Sequence, residues 1–286
     1  MKRNLELEED IKQWYKRRMK EDLNIEEPQT FNEKIQWLKL YDSTPLKGKL
    51  ADKYESREWL KNELGQDYSI PIIGVWDKFD DIDFDKLPNK FVLKATHGSS
   101  WNIIVKDKSK LDKTDAKQKF DKWLATDFGS ISREYHYRYI KPRIIAEEFI
   151  DFEDGLMDYR VYCFNGVPKE VWVDKYSGTP YHQRTIYDLD WNKKDFLCTW
   201  PPIKEDVNKP KNLDLMIDIA KKVSKYFVFV RVDFYEVNGK LYLGEITFTP
   251  MAGLCDYKPK EYEKVAGDMI DLSPVMKNYE DMYRNN

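Results

Sequence analysis

The 286-residue chain carries 48 Lys+Arg against 51 Asp+Glu, a formal charge of −3, with 41% hydrophobic and 15% aromatic residues. That near-neutral balance, without a basic stripe, excludes a general nucleic-acid binder, because neutralising phosphates needs a local cationic excess. The aromatic and apolar content excludes intrinsic disorder and is enough for one large domain or two intimate lobes.

The first ten residues turn acidic where a signal peptide needs an apolar stretch, and no apolar run reaches the ~20 residues of a membrane span. Cys163, Cys198 and Cys255 are odd in number and have no CxxC spacing, which points to a reducing compartment and a cytoplasmic location. His97, His136 and His182 are equally scattered and give no zinc pattern.

Ile11, Trp14, Tyr15 and Met19 stand at helical spacing between Leu7 and Asp22. Thr30 or Asn32 caps a second helix carrying Ile35, Trp37, Leu38 and Leu40. A third helix is expected from about Leu50 to Leu64, ending at Gly65. Strands follow at Tyr68 to Trp76, Phe91 to Thr96 and Asn102 to Lys106, then a helix from about Thr114 to Ala125 and a strand at Arg143 to Ile150. Asn165-Gly166 joins a hairpin of Met157 to Phe164 and Val167 to Val173. Ser177 to Lys211 reads as a long irregular loop. A helix from Asn212 through Tyr226 precedes a second hairpin, Phe227 to Val237 and Leu241 to Phe248, around Asn238-Gly239. The sum is an α+β chain with substantially antiparallel sheets.

Three segments carry chemistry. Lys94 ends a strand and is followed by the polar loop Gly98-Ser99-Ser100, a cation with backbone N–H groups suited to a polyphosphate. It is also compatible with a plain strand and turn. In Arg231-Val232-Asp233, strand alternation puts both charges on one face, near Glu245 of the next strand; a bound cation or an Arg231–Glu245 salt bridge would satisfy them. Glu147, Glu148, Phe149 and Ile150 end an apolar strand before Asp158-Tyr159-Arg160, a frame for a nucleotide or an exposed strand end.

Register offers a test. A two-residue Asn238-Gly239 loop with a regular ladder sets Asp233 opposite Gly244, so Asp233 and Glu245 face opposite ways. A bulge at Gly239 pairs Arg231 with Glu245 and returns Asp233 to the same face. A shared metal therefore predicts a bulge.

In this order the segments resemble the ATP-grasp family. Asp52-Lys53-Tyr54-Glu55-Ser56-Arg57 is similar to its early basic motif, although the family more often has Lys at the position of Arg57. Phe31 to Leu38, Ala51 to Tyr54, Asp158-Tyr159-Arg160 to Gly166 and Glu245-Ile246-Thr247-Phe248-Thr249-Pro250 resemble the TupA-like branch, found with bacterial surface-polysaccharide and teichuronopeptide genes. Thr247 stands where most members have Asn.

The resemblance implies two α+β lobes clasping ATP, with a helical segment over residues 1–50 and an ATP-grasp domain over 51–286. A lid would span about 91–147 and a metal-binding core about 151–286, with a hinge near the turn at 151–155. It implies that Arg57 and Lys94 hold phosphates under the loop of Gly98, Ser99 and Ser100. Glu147, Glu148, Phe149 and Ile150 would line the adenine pocket, and Asp158 would reach the ribose. Asp233 and Glu245 would bind Mg2+, and Arg231 with Lys94 would stabilise the transferring phosphoryl group. The implied reaction joins a carboxylate, possible source a uronic acid of a surface polysaccharide or precursor, to an amine or amino acid. Trp172, Trp191 and Trp200 are candidates for sugar stacking. The alternatives are a glycosyltransferase and a non-catalytic ATP-binding protein. Asp81-Ile82-Asp83, Asp83-Phe84-Asp85 and Asp188-Leu189-Asp190 match the first, but about 9 acid-x-acid triplets arise by chance at this composition.

Overall fold

α1 (Leu5–Met19) is capped by Asn4 and buries Ile11, Trp14 and Tyr15. The computed structural model describes residues 4–151 and 156–276. α2 (Phe31–Tyr41) opens on a reciprocal capping box: Thr30 Oγ1 accepts from the Glu33 N–H, and the Glu33 carboxylate accepts from the Thr30 N–H. The single helix expected from about Leu50 to Leu64 is instead α3 (Pro45–Ala51) and α4 (Ser56–Leu64). Between them the Asp52 carboxylate accepts from the N–H groups of Tyr54 (2.8 Å) and Glu55 (3.3 Å). That side-chain turn competes with helical hydrogen bonding and puts Lys53 on a corner.

β1 (Ile72–Trp76), β2 (Phe91–Ala95), β3 (Asn102–Val105), α5 (Lys113–Leu124), α6 (Phe128–Ser132) and β4 (Ile144–Glu148) follow. The strands form an antiparallel sheet in the order β1-β4-β2-β3. Its apolar face, with Phe91, Leu93, Ile144 and Ala146, packs on Ala116 and Phe120 of α5.

The rest of the chain runs β5 (Met157–Phe164), β6 (Val167–Lys175), β7 (Gln183–Asp188), β8 (Leu197–Cys198), α7 (Leu213–Ser224), β9 (Phe229–Val237), β10 (Lys240–Thr247), β11 (Tyr257–Lys258) and α8 (Glu261–Asp268). A second antiparallel sheet has the order β10-β9-β5-β6-β7. Both expected hairpins form on two-residue loops. Asn165 and Gly166 (φ 46° and 79°) and Asn238 and Gly239 (φ 52° and 76°) are left-handed at both central positions, the type I′ geometry that matches strand twist. The stretch read as one irregular loop contains β7. Its buried Arg184 interrupts the apolar pattern, which hides the strand. The hinge expected near 151–155 lies, apart from Asp151, outside the described residues.

One face of the five-stranded sheet, with Val161, Val171, Val173, Val230 and Val232, is covered by Met216, Ile219, Ala220 and Val223 of α7. The other face is divided along its length. At one end Tyr162, Phe164, Trp172, Ile186 and Phe229 pack against the N-terminal helices, with Phe31 of α2 edge-on to Phe229 at 5.3 Å. At the other end the face carries Asp158, Arg160, Asp174, Asp233 and Glu245.

Candidate active site

Register assembles the acids. The β9–β10 turn pairs Val237 with Lys240, and the ladder stays regular as far as Leu243 opposite Phe234. Gly244 is then skipped, so that Glu245 pairs with Asp233 and Thr247 with Arg231. A bulge is present, as a shared metal requires, but at Gly244 rather than at Gly239. Glycine is needed there because a Cβ would lie 2.6 Å from the Tyr235 ring. The next strand continues the row, with Arg160 opposite Asp233 and Tyr162 opposite Arg231.

Arg231 knits this row together. Its guanidinium donates to both Asp233 oxygens (2.7 and 2.5 Å), to Glu245 Oε1 (3.3 Å) and to Thr247 Oγ1 (3.1 Å). The expected Arg231–Glu245 contact exists, but the two-bond fork to Asp233 is the shorter one. Burial pushes the Asp233 pKa up to about 6, outweighing the pull of Arg231 and Arg160. Glu245 is only partly buried, and although desolvation raises its pKa, Lys53, Arg231, Arg160 and Lys94 together hold it below the ordinary carboxylate value. Among the described residues no group of three or more His, Cys, Asp or Glu forms a metal cage. Two carboxylates beside a hydroxyl fit Mg2+, which takes one or two acids and completes its shell with water and substrate phosphate.

The cations converge from the four-stranded sheet and α4. Lys94 and Glu147 share a face, since Val92 pairs with Glu147 and Lys94 with Ile145. The Glu147 carboxylate is clamped between Lys94 Nζ and Arg57 Nη2, each at 2.5 Å. Arg57 also donates to the carbonyls of Lys53 (3.0 Å) and Ile70 (2.5 Å). Glu147 is therefore a partner of the two expected phosphate cations rather than a free lining group. Glu148 is exposed, and the Phe149 ring lies under Lys90 Nζ at 5.6 Å. Ile150 is partly buried.

The Gly/Ser loop is anchored more firmly than its composition suggests. Gly98 is buried beneath Trp101, whose ring leaves no room for a Cβ (2.4 Å), and Trp101 stacks on Trp123. Only Ser99 and Ser100 are exposed, Ser100 in the left-handed region at φ 61°.

Asp158 accepts from Arg160 Nη2 (2.9 Å) and from Ser177 Oγ. Arg160 also reaches Asp174 (2.8 Å), which Arg184 grips through two bonds (2.6 and 2.7 Å). Of the tryptophans expected near sugar, Trp172 is 1% exposed and stacked on Tyr162, so it belongs to the core. Trp191 stacks on Tyr187, and Trp200 on His182. The Asp-x-Asp triplets serve local turns: Asp83 accepts from the Asp85 N–H, and Asp188 from the N–H groups of Asp190 and Asn192.

Sequence reasoning gave no role to Lys53 or Arg160. Alternation with Asp158 marks Arg160 as facing the site. Lys53 has no such signal, because the corner that aims it is hidden inside an apparent helix.

A family profile described as TupA-like ATPgrasp matches residues 33–271. The chain belongs to the TupA-like ATP-grasp family. Solved structures similar to this ATP-grasp chain include a D-alanine–D-alanine ligase from Bacillus anthracis, 18% identical over 82% of this chain and 69% of that one, with a TM-score of 0.46. An L-amino acid ligase from Bacillus licheniformis is 16% identical over 71% of this chain and 44% of that one, with a TM-score of 0.44. Comparison with curated proteins returns no match. Among the described residues no helix is long and apolar enough to cross a membrane.

Proposed function

We propose that the protein is a carboxylate–amine ligase acting through an acylphosphate, with a uronic acid of a bacterial surface polysaccharide or its precursor as carboxylate donor. The observation that carries the reading is the Gly244 bulge, which turns Glu245 toward Asp233 and places both beside Arg231 and Arg160, across from Lys94. In this reading Asp233 and Glu245 hold Mg2+, which neutralises phosphate charge when bound. Lys94 and Arg57 hold the phosphates, and Ser99 and Ser100 close over them with Gly98 as a fixed base. Glu148 to Ile150 border the adenine, Glu147 positions Lys94 and Arg57, and Asp158 faces the ribose.

The substrate carboxylate attacks the terminal phosphorus, the bond to the ADP oxygen breaks, and an acylphosphate forms. An amine then attacks the acyl carbon, expelling phosphate and losing a proton. Arg231 and Lys94 stabilise charge on the moving phosphoryl group; positioning and neutralisation supply most of the catalysis in such transfers. The exposed rings of Tyr176 and Tyr181, with Trp200 on His182, which meets Asp174, lie by the charged end of the sheet and favour a sugar-bearing substrate.

The test is ADP release with uronic acids and uronate polymers against amino acids and simple amines, in wild type, Asp233→Asn and Glu245→Gln. Turnover should need both partners and Mg2+ and fall by about a hundred- to a thousandfold in either variant, as loss of a group acting on transition-state charge predicts. Full activity in either variant would remove the metal assignment. Sugar transfer from a sugar nucleotide without ADP release would instead favour a glycosyltransferase.

A further inference from the structure

Lys53 is the cation for which the fold makes a special arrangement. The Asp52 turn breaks the helix and presents Lys53 at the corner between α3 and α4. From there its ammonium donates to the Gly98 carbonyl at 2.7 Å, while its own N–H donates to the Thr96 carbonyl at 3.5 Å. The corner is braced from a third direction. Arg143 Nη1 lies 2.9 Å from Glu55 and 3.7 Å from Asp52. The Arg143 backbone exchanges hydrogen bonds with Thr96, 2.9 Å to its carbonyl and 3.2 Å from its N–H. Lys53 is thus a half-buried lysine held in place, unlike a surface lysine free to swing.

What it faces is informative. Lys53 lines a cavity with Asp52, Arg57, Ser69, Gly244 and Glu245, so it borders the bulge that turns the second acid inward. Glu245, Lys94 and Glu147 are among the charges that act on it, and it is the foremost cation acting on Glu245. An ammonium has three donors and the Gly98 carbonyl takes one, which leaves capacity for phosphate oxygens, and a compact point charge suits them.

We propose that Lys53 is a third cation of the phosphate site, contacting the terminal phosphate of a nucleoside triphosphate while keeping its bond to Gly98. The fixed base of the loop is thereby tied to the terminal phosphate, because one ammonium touches both. The inference rests on the reading that ATP binds here, and it adds a residue that answers to the third phosphate only.

Calorimetric titration of a non-hydrolysable ATP analogue and of ADP, each with Mg2+, into wild type, Lys53→Met and Lys53→Gln tests it. Gln can still donate to the Gly98 carbonyl but carries no charge, so it separates bracing of the loop from contact with phosphate. Both variants should lose about tenfold or more in affinity for the triphosphate, and less than about twofold for ADP, as removal of one charge-assisted contact predicts. Should Lys53→Met fail to fold by circular dichroism, Lys53→Gln gives the decisive pair of affinities. Equal losses for both nucleotides, or no loss in Lys53→Gln, would overturn the contact with the terminal phosphate and leave a loop brace. Wild-type protein that binds neither nucleotide would remove the ATP reading and this inference together.

Discussion

Asp52 is a buried carboxylate whose main bonds are to its own turn. Burial pushes its pKa up to about 6, against the N–H groups of Tyr54 and Glu55 and the charge of Arg143, which pull it down. An unfolded aspartate titrates near ~4. Between those values the folded state binds more protons than the unfolded one, so stability falls as pH rises through the window from about 4 to about 6 and is level above it. The contribution is on the order of 2–3 kcal/mol. Asp52→Asn should flatten that slope in urea unfolding between pH 4.5 and pH 7, leaving the share of Asp233, which burial raises in the same direction. A variant with the wild-type slope would assign the titration elsewhere. The sequence makes Asp233 and Arg231 legible as neighbours on one face, because strand alternation is strict. It does not reveal Lys53, whose direction depends on a carboxylate competing with a helix, and local competition of that kind has no periodic signature.

The informative element is the β9–β10 hairpin. Asn238-Gly239 announces the turn, and alternation announces the faces, but neither locates an extra residue in the ladder. The need for both acids on one side predicts a bulge; only the contact of Gly244 with Tyr235 decides where it lies. Gly244→Ala should therefore act on chemistry more than on folding. The partly exposed Tyr235 ring must shift, at a cost of about 1–3 kcal/mol. Glu245 then turns away from Asp233, and turnover at limiting Mg2+ should fall by about tenfold or more. Wild-type Mg2+ dependence in this variant would show that the bulge is not what aims Glu245. β7 illustrates the opposite failure of pattern reading. Its buried Arg184 is satisfied by Asp174 on β6, a pairing visible only once the strands are adjacent.

At the scale of the molecule, one sheet face serves as core at one end and as site at the other. Phe31 anchors the core end by packing α2 against Phe164, Phe229 and Tyr257. Phe31→Ala should cost about 3–5 kcal/mol in chemical denaturation, as for other fully buried aromatics. A loss below about 1 kcal/mol would mean that α2 is held by its other contacts. Besides the buried Ile35, Trp37, Leu38 and Leu40, those contacts include polar ones: Lys39 Nζ donates to the Ala252 carbonyl (2.9 Å) and Gln36 Nε2 to those of Ala252 (3.0 Å) and Gly253 (2.7 Å). They hold a segment in which Met251, Ala252 and Gly253 are all left-handed, a conformation that costs non-glycine residues about 1–2 kcal/mol each. The Lys39–Ala252 bond spans 213 positions of sequence. On a ribosome, α2 must therefore wait through the synthesis of both sheets before the segment it grips emerges. The backbone just beyond β10 acquires its final shape only then, so the site is completed late, when α2 meets a segment made 213 positions after it.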